Sequence, residues 1–145
     1  MGLDYGSRRI GVAISDEMGM TAQGAATISR KNRQADLDAI ADLVQRYRIE
    51  RIVVGYPLRL DGSEGIQCEK VDRFRRRLEA RFSLPVVLRD ETLSTMEAEE
   101  ILRQRGVRPK KRRGIVDRVA AALILQGYLD ALPRDTRADD RQANP

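Results

Sequence analysis

Three β-like stretches follow one another before any helical pattern begins: Gly2 to Tyr5, Arg8 to Ser15 and roughly Thr21 to Ser29. The spacers between them are too short for crossover helices, so these strands are expected to run as an antiparallel meander. The rest of the chain alternates. Residues 34–48 set Leu37, Ile40, Ala41, Val44 and Tyr47 at helical spacing, and Arg51-Ile52-Val53-Val54 is a compact apolar strand ended by Gly55. Helical spacing returns from Glu64 to Phe82 through Ile66, Val71, Phe74 and Leu78, and Pro85-Val86-Val87-Leu88 is the last strand. Ser94 and Glu97 form a capping-box pattern opening a helix that Gly106 stops. Ile115 to Leu132 is the most apolar helix, and its Ala120-Ala121-Ala122 run suits close packing on a neighbour. The order predicts an α/β fold: a five-stranded mixed sheet, a three-strand meander joined to parallel strands, flanked by helices. Residues 1–132 are expected to form one domain. From Pro133 the charges cancel and apolar periodicity ends, which predicts a disordered tail over 133–145.

Composition narrows the chemistry. The chain has no histidine and a single cysteine, Cys68, so Ser-His and Cys-His nucleophile pairs, an internal disulfide and the usual zinc sites are excluded. Carboxylates are left for metal or acid–base work, and they favour hard cations, Mg²⁺ or Mn²⁺. No apolar run is long enough to span a bilayer and no signal peptide precedes the first strand, so a cytoplasmic protein without membrane contact is expected.

The net charge of +5 is unevenly spread. Between Arg103 and Arg118 lie eight basic residues and one acid, Asp117, while the remainder of the chain is slightly acidic. Such a segment suits a polyanion docking on one side, with Arg108, Lys110, Lys111, Arg112 and Arg113 as nucleic-acid-binding candidates on a loop. A solvated loop kept soluble by charge is the plainer alternative. With no tryptophan and six Phe and Tyr residues in all, phosphate contact is favoured over base stacking.

Each candidate acid also has a structural explanation. Asp4 could be a turn aspartate bonding its own backbone. Asp90 and Glu91, at the end of the last strand, could simply face water, and alternation lets only one of them meet Asp4. Asp117, near the expected start of the apolar helix, would be favoured there by the helix dipole. Strand ends and a helix start can nevertheless converge, and converging carboxylates in a histidine-free chain make a two-metal phosphoryl-transfer site.

Four motifs in order carry a resemblance: Gly2-Leu3-Asp4-Tyr5-Gly6 with Arg9-Ile10-Gly11-Val12-Ala13; Val53-Val54-Gly55-Tyr56-Pro57-Leu58 with Asp61-Gly62-Ser63; Asp90-Glu91-Thr92-Leu93-Ser94-Thr95; and Val116-Asp117-Arg118-Val119-Ala120-Ala121. Over about residues 1 to 132 the chain resembles the YqgF (RuvX) family. The resemblance implies a ribonuclease-H-like fold and a metal-dependent nuclease of pre-16S ribosomal RNA, formerly described as Holliday-junction-resolvase-like. It places the acidic site on Asp4, Glu91 and Asp117, with Asp4 bridging two ions. Structured RNA or branched DNA would be the partner, together with ribosomal particles. Gly6 and Gly55 would let backbone approach phosphate or leave its strand, and the turn carrying Ser63 would touch substrate unless it is a plain turn. Thr92 departs from the arginine that the family commonly has after the Asp-Glu pair. A ribosome-assembly or transcription-linked binding module with a weak nuclease site is the reading from another class, and a nucleotide-binding half of an actin-like kinase is disfavoured by length. Because three residues precede Asp4 on a strand expected at the sheet's centre, a start several residues upstream, or a less stable short form, is also expected.

Overall fold

The computed structural model describes residues 1–57, 61–91 and 94–133, apart from the side chains of Ser94, Thr95 and Arg113. The expectations for Thr92, for the Arg113 side chain and for the tail from 134 onward lie outside the described residues. Strands β1 (Gly2–Tyr5), β2 (Arg9–Ser15) and β3 (Ala22–Ser29) precede α1 (Arg33–Arg46), β4 (Ile52–Tyr56), α2 (Ile66–Phe82), β5 (Val86–Asp90), α3 (Ser94–Gln104) and α4 (Pro109–Ala131). The sheet order is β3-β2-β1-β4-β5. β1, β2 and β3 pair antiparallel, whereas β4 runs parallel to β1 and β5 parallel to β4. This is the expected meander joined to parallel strands.

Period-2 alternation gives the sheet two different faces. Leu3, Ile10, Val12, Ile52 and Val54 point to one side and pack with Ile40 and Leu43 of α1 and Val71, Phe74 and Leu78 of α2. Ala13 and Val53 point to the other side, against Ala121, Ile124, Leu125 and Leu129 of α4. That second face is lined with small residues, and α4 lies on it at unusually short range. A Cβ added at Gly2 would come 2.9 Å from the Ala121 carbonyl oxygen, and one at Gly11 only 1.9 Å from that of Asp117.

β1 is central and short. The Met1 amino group is buried beside it and donates to the Arg51 carbonyl at 3.0 Å, while the Val53 N–H donates to the Met1 carbonyl at 2.8 Å. Burial lowers that amino group to about 6, since the charged form loses water.

The segment before Asp117 departs from expectation. Instead of a basic loop, α4 starts at Pro109, with Arg108 at the N-cap and proline in the first turn, where its missing N–H costs nothing. Lys110, Lys111, Arg112 and Arg113 therefore form helix rather than loop, and Asp117 stands more than two turns inside it. The dipole explanation for Asp117 fails with that placement, because the effect fades beyond the first turn.

Candidate active site

Asp4 shares its sheet face with Gly2, hence with α4, and in the β1–β2 ladder it stands opposite Gly11. The bare backbone at Gly11 lets α4 sink onto β2 at Asp117, which brings the Asp117 carboxylate into the electrostatic field of Asp4. From the other side comes Glu91. Its N–H donates to the Tyr56 carbonyl at 3.1 Å, extending the β4–β5 ladder by one residue, and its carboxyl lies over Gly55 and hydrogen-bonds Asp4. Asp90 ends β5 exposed to solvent. Three elements distant in sequence thus bring Asp4, Glu91 and Asp117 to one end of the sheet.

Their charges interact. Burial pushes the Asp4 carboxyl up to about 6, the negative Asp117 pushes it the same way, and the hydrogen bond from Glu91 partly offsets both. A hydrogen bond between the Asp4 and Glu91 carboxyl groups requires a proton between them. Asp117 has a different companion: Arg9 Nε donates to its Oδ2 at 2.5 Å, across 108 residues of chain. Among the described residues, no three acidic or sulfur side chains close on a single ion position.

A divalent cation nevertheless fits the donor set. Oxygen ligands from a half-buried acid pair with excess negative charge suit a hard ion, which would replace the shared proton and reduce the repulsion that raises Asp4. Arg9 had no signal in local sequence beyond its parity, since residues 9, 11 and 13 of β2 share the face that meets α4. Arg9→Gln is expected to lower the stability of the metal-free protein by about 1 kcal/mol, a figure discounted for the partial exposure of the pair. Added Mn²⁺ should restore that loss in urea denaturation, and no loss would show that the pair is energetically idle.

Residues 1–131 match the family described as "RuvX: Holliday junction resolvase". The chain belongs to the RuvX family. Relatives of similar length include a protein of Syntrophus aciditrophicus, 61% identical over 97% of this chain and 93% of its own, and one of Halothermothrix orenii, 52% identical over 90% and 93%. Both bear the name "Putative pre-16S rRNA nuclease". Among solved structures, the Fowlpox virus resolvase in complex with Holliday junction DNA aligns over 92% of this chain and 97% of that one, with a TM-score of 0.52 and 12% identity. This likeness is one of fold, the ribonuclease-H-like arrangement of the sheet.

The remaining candidates of this RuvX-family chain are placed as follows. Gly6 closes the β1–β2 hairpin, its N–H donating to the Arg9 carbonyl at 2.9 Å, and a Cβ there would sit 2.6 Å from that oxygen. Gly55 lies inside β4, paired with Arg89, so it does not release the chain from its strand. Its missing Cβ makes room for Glu91 and Ile124. Ser63 is engaged locally: its N–H and Oγ both donate to Asp61 Oδ1, at 2.9 and 2.6 Å. Arg108, Lys110 and Lys111 are exposed, whereas Arg112 Nε donates to the Val107 carbonyl at 2.6 Å and ties down the α3–α4 turn. A groove of about 990 Å³ opens at the opposite end of the sheet around Met1, Arg48 and Tyr128, away from the three acids.

Proposed function

We propose that this protein is a metal-dependent endonuclease that hydrolyses phosphodiester bonds in structured RNA, with the precursor of 16S ribosomal RNA as its substrate. One observation carries the reading: Asp4, Glu91 and Asp117 converge at the sheet end, and Asp4 is raised to about 6 by burial and by its negative neighbour. The names of the relatives supply the substrate. Asp4, Glu91 and Asp117 would hold Mg²⁺ or Mn²⁺, which when bound supplies an activated water and charge neutralisation at the phosphate.

The chain's own residues do the rest. The Asp4–Glu91 pair gives up its shared proton when the site is loaded, leaving both carboxylates as oxygen ligands. Arg9 holds Asp117 in place until then, and its guanidinium stands at the site to meet a phosphate oxygen. The hairpin at Gly6 fixes the path of the chain just beyond Asp4. At the start of α4, Lys110 and Lys111 oppose the positive end of the helix dipole, and a polyanion docked there would relieve the conflict.

Branched DNA is the second reading, favoured by the resolvase description of the matching family. The test is to offer purified protein a 16S precursor fragment and a four-way DNA junction side by side, with Mg²⁺ or Mn²⁺ and with chelator. Metal-dependent cleavage of the RNA is expected, preference for the junction would transfer the assignment to DNA, and cleavage of neither would leave a binding module.

Replacing Lys110 and Lys111 by Ala is expected to flatten the dependence of log affinity on log salt by about 1.4 to 1.8, at about 0.7 to 0.9 per lost phosphate contact. An unchanged slope would leave these lysines as solubilising charge. Arg112 is a poor probe, because its removal also loosens the turn at Val107.

A further inference from the structure

On the opposite side of the sheet end from α4 lies a cleft of about 270 Å³ between the β1–β2 hairpin, the start of α1 and the outer face of α2. Its rim carries Arg30, Arg33, Lys70, Arg73 and Arg77, and its floor includes the backbone of Gly6. Lys70, Arg73 and Arg77 recur at i, i+3 and i+7, so one stripe of α2 faces the cleft. Two of the five cations have acidic partners: Arg30 with Asp36 at 3.5 Å and Arg73 with Glu69 at 3.9 Å. Among the described residues, Arg33, Lys70 and Arg77 have none. Arg30 is fixed. It stacks 4.4 Å over the Tyr5 ring, which itself stacks on Phe74 at 4.1 Å, and donates from Nη1 to the carbonyls of Gly6 and Ser7 at 3.0 and 3.3 Å.

We infer that this cleft is a second phosphate-binding site for the nucleic-acid backbone, built by Arg33, Lys70 and Arg77 around the anchored Arg30. The inference rests on the nuclease reading above. Like charges gathered in one concave space repel, and a bound polyanion turns that repulsion into attraction. The position is also apt. Gly6 follows Asp4 by two residues, about 7 Å of extended chain, so a phosphate in the cleft lies within about one or two nucleotides of the acids. Strand alternation sends Tyr5 to the α1–α2 side and Asp4 to the α4 side. A strand passing over the end of β1 would therefore be gripped in the cleft on one side and at Lys110 and Lys111 on the other, with the carboxylates between.

The test is binding against salt for wild type, for a triple variant Arg33→Gln, Lys70→Gln, Arg77→Gln, and for a control of equal charge, Arg46→Gln, Arg48→Gln, Arg51→Gln, in the groove at the opposite end of the sheet. The probes are a 16S precursor fragment and a four-way DNA junction. The cleft variant is expected to lose about 2 units of salt slope and about 10- to 100-fold in affinity at low salt, with the control losing less than about half a unit. Binding by wild type, with the cleft variant no weaker than the control, would overturn the cleft and leave the nuclease reading standing. No salt-dependent binding of either probe by wild type would overturn both. Should the triple variant fail to fold, Lys70→Glu, a single exposed change, is expected to lose about one unit of slope, and an unchanged slope would overturn the cleft equally.

Discussion

Asp4→Asn is expected to abolish cleavage and, in the absence of metal, to make the protein more stable at neutral pH. The folded carboxyl titrates near 6 against an ordinary 3.8, so between these values the folded chain binds the extra proton. The stability contributed by this group is therefore complete below about pH 4 and lost as pH rises through 6. Two pH units correspond to roughly 2 to 3 kcal/mol at pH 7.5, which an uncharged amide would recover. Urea denaturation in chelator should show that gain at pH 7.5 and almost none at pH 4. Cleavage should fall at least about a thousandfold, equivalent to roughly 4 kcal/mol of lost transition-state stabilisation. Glu91→Gln should lose activity similarly. Asp117→Asn should lose activity without the gain in stability, because it strands the Arg9 guanidinium. An Asp4→Asn protein that is both active and no more stable would remove Asp4 from the site.

Gly11→Ala is expected to cost about 3 kcal/mol, the upper range for overpacking, and about 100-fold in activity. The added methyl would lie 1.9 Å from the Asp117 carbonyl oxygen and 2.5 Å from its carbonyl carbon, both backbone atoms of a helix that cannot yield locally. α4 must lift, and Asp117 moves with it. Displacements of about 1 Å at a catalytic group cost on this scale. Gly114→Ala, on the same helix, is the control: its nearest contact is an ordinary 3.7 Å to the Thr27 hydroxyl, so alanine should stabilise by up to about 1 kcal/mol through helix propensity. Thermal unfolding of the two variants separates close approach from any general intolerance of change in α4. Equal behaviour would mean that the Gly11 contact does not position the helix.

The meander and the parallel strands were legible because apolar alternation and turn residues are local signals. Alternation at the strand end required that only one of Asp90 and Glu91 meet Asp4, but the choice of Glu91 came from the family resemblance and not from local pattern. The start of α4 was not legible. Pro109 to Gly114 presents cations on every side and buries little, so hydrophobic periodicity is silent there, while proline at the first position and the helix propensity of Lys and Arg suffice to extend the helix. Arg9 and the cleft on α2 escaped for another reason. Both depend on which distant faces meet, Arg9 with a residue 108 positions away and Arg33 with residues a helix and a strand later. The i, i+3, i+7 stripe at 70, 73 and 77 was visible in the sequence, but without the fold nothing distinguished it from a solvated helix face.

Asp4 and Glu91 are held to exchange a shared proton for a metal ion, and everything proposed for the site depends on that exchange. Calorimetric titration of Mn²⁺ into the wild-type protein at pH 6 and at pH 8, in buffers of different ionisation enthalpy, measures it directly. Binding is predicted with about half a proton released per ion at pH 6, where a group titrating near 6 is half protonated, almost none at pH 8, and neither binding nor release in Asp4→Asn. Equal binding by wild type and Asp4→Asn, or binding without proton release at pH 6, would contradict it.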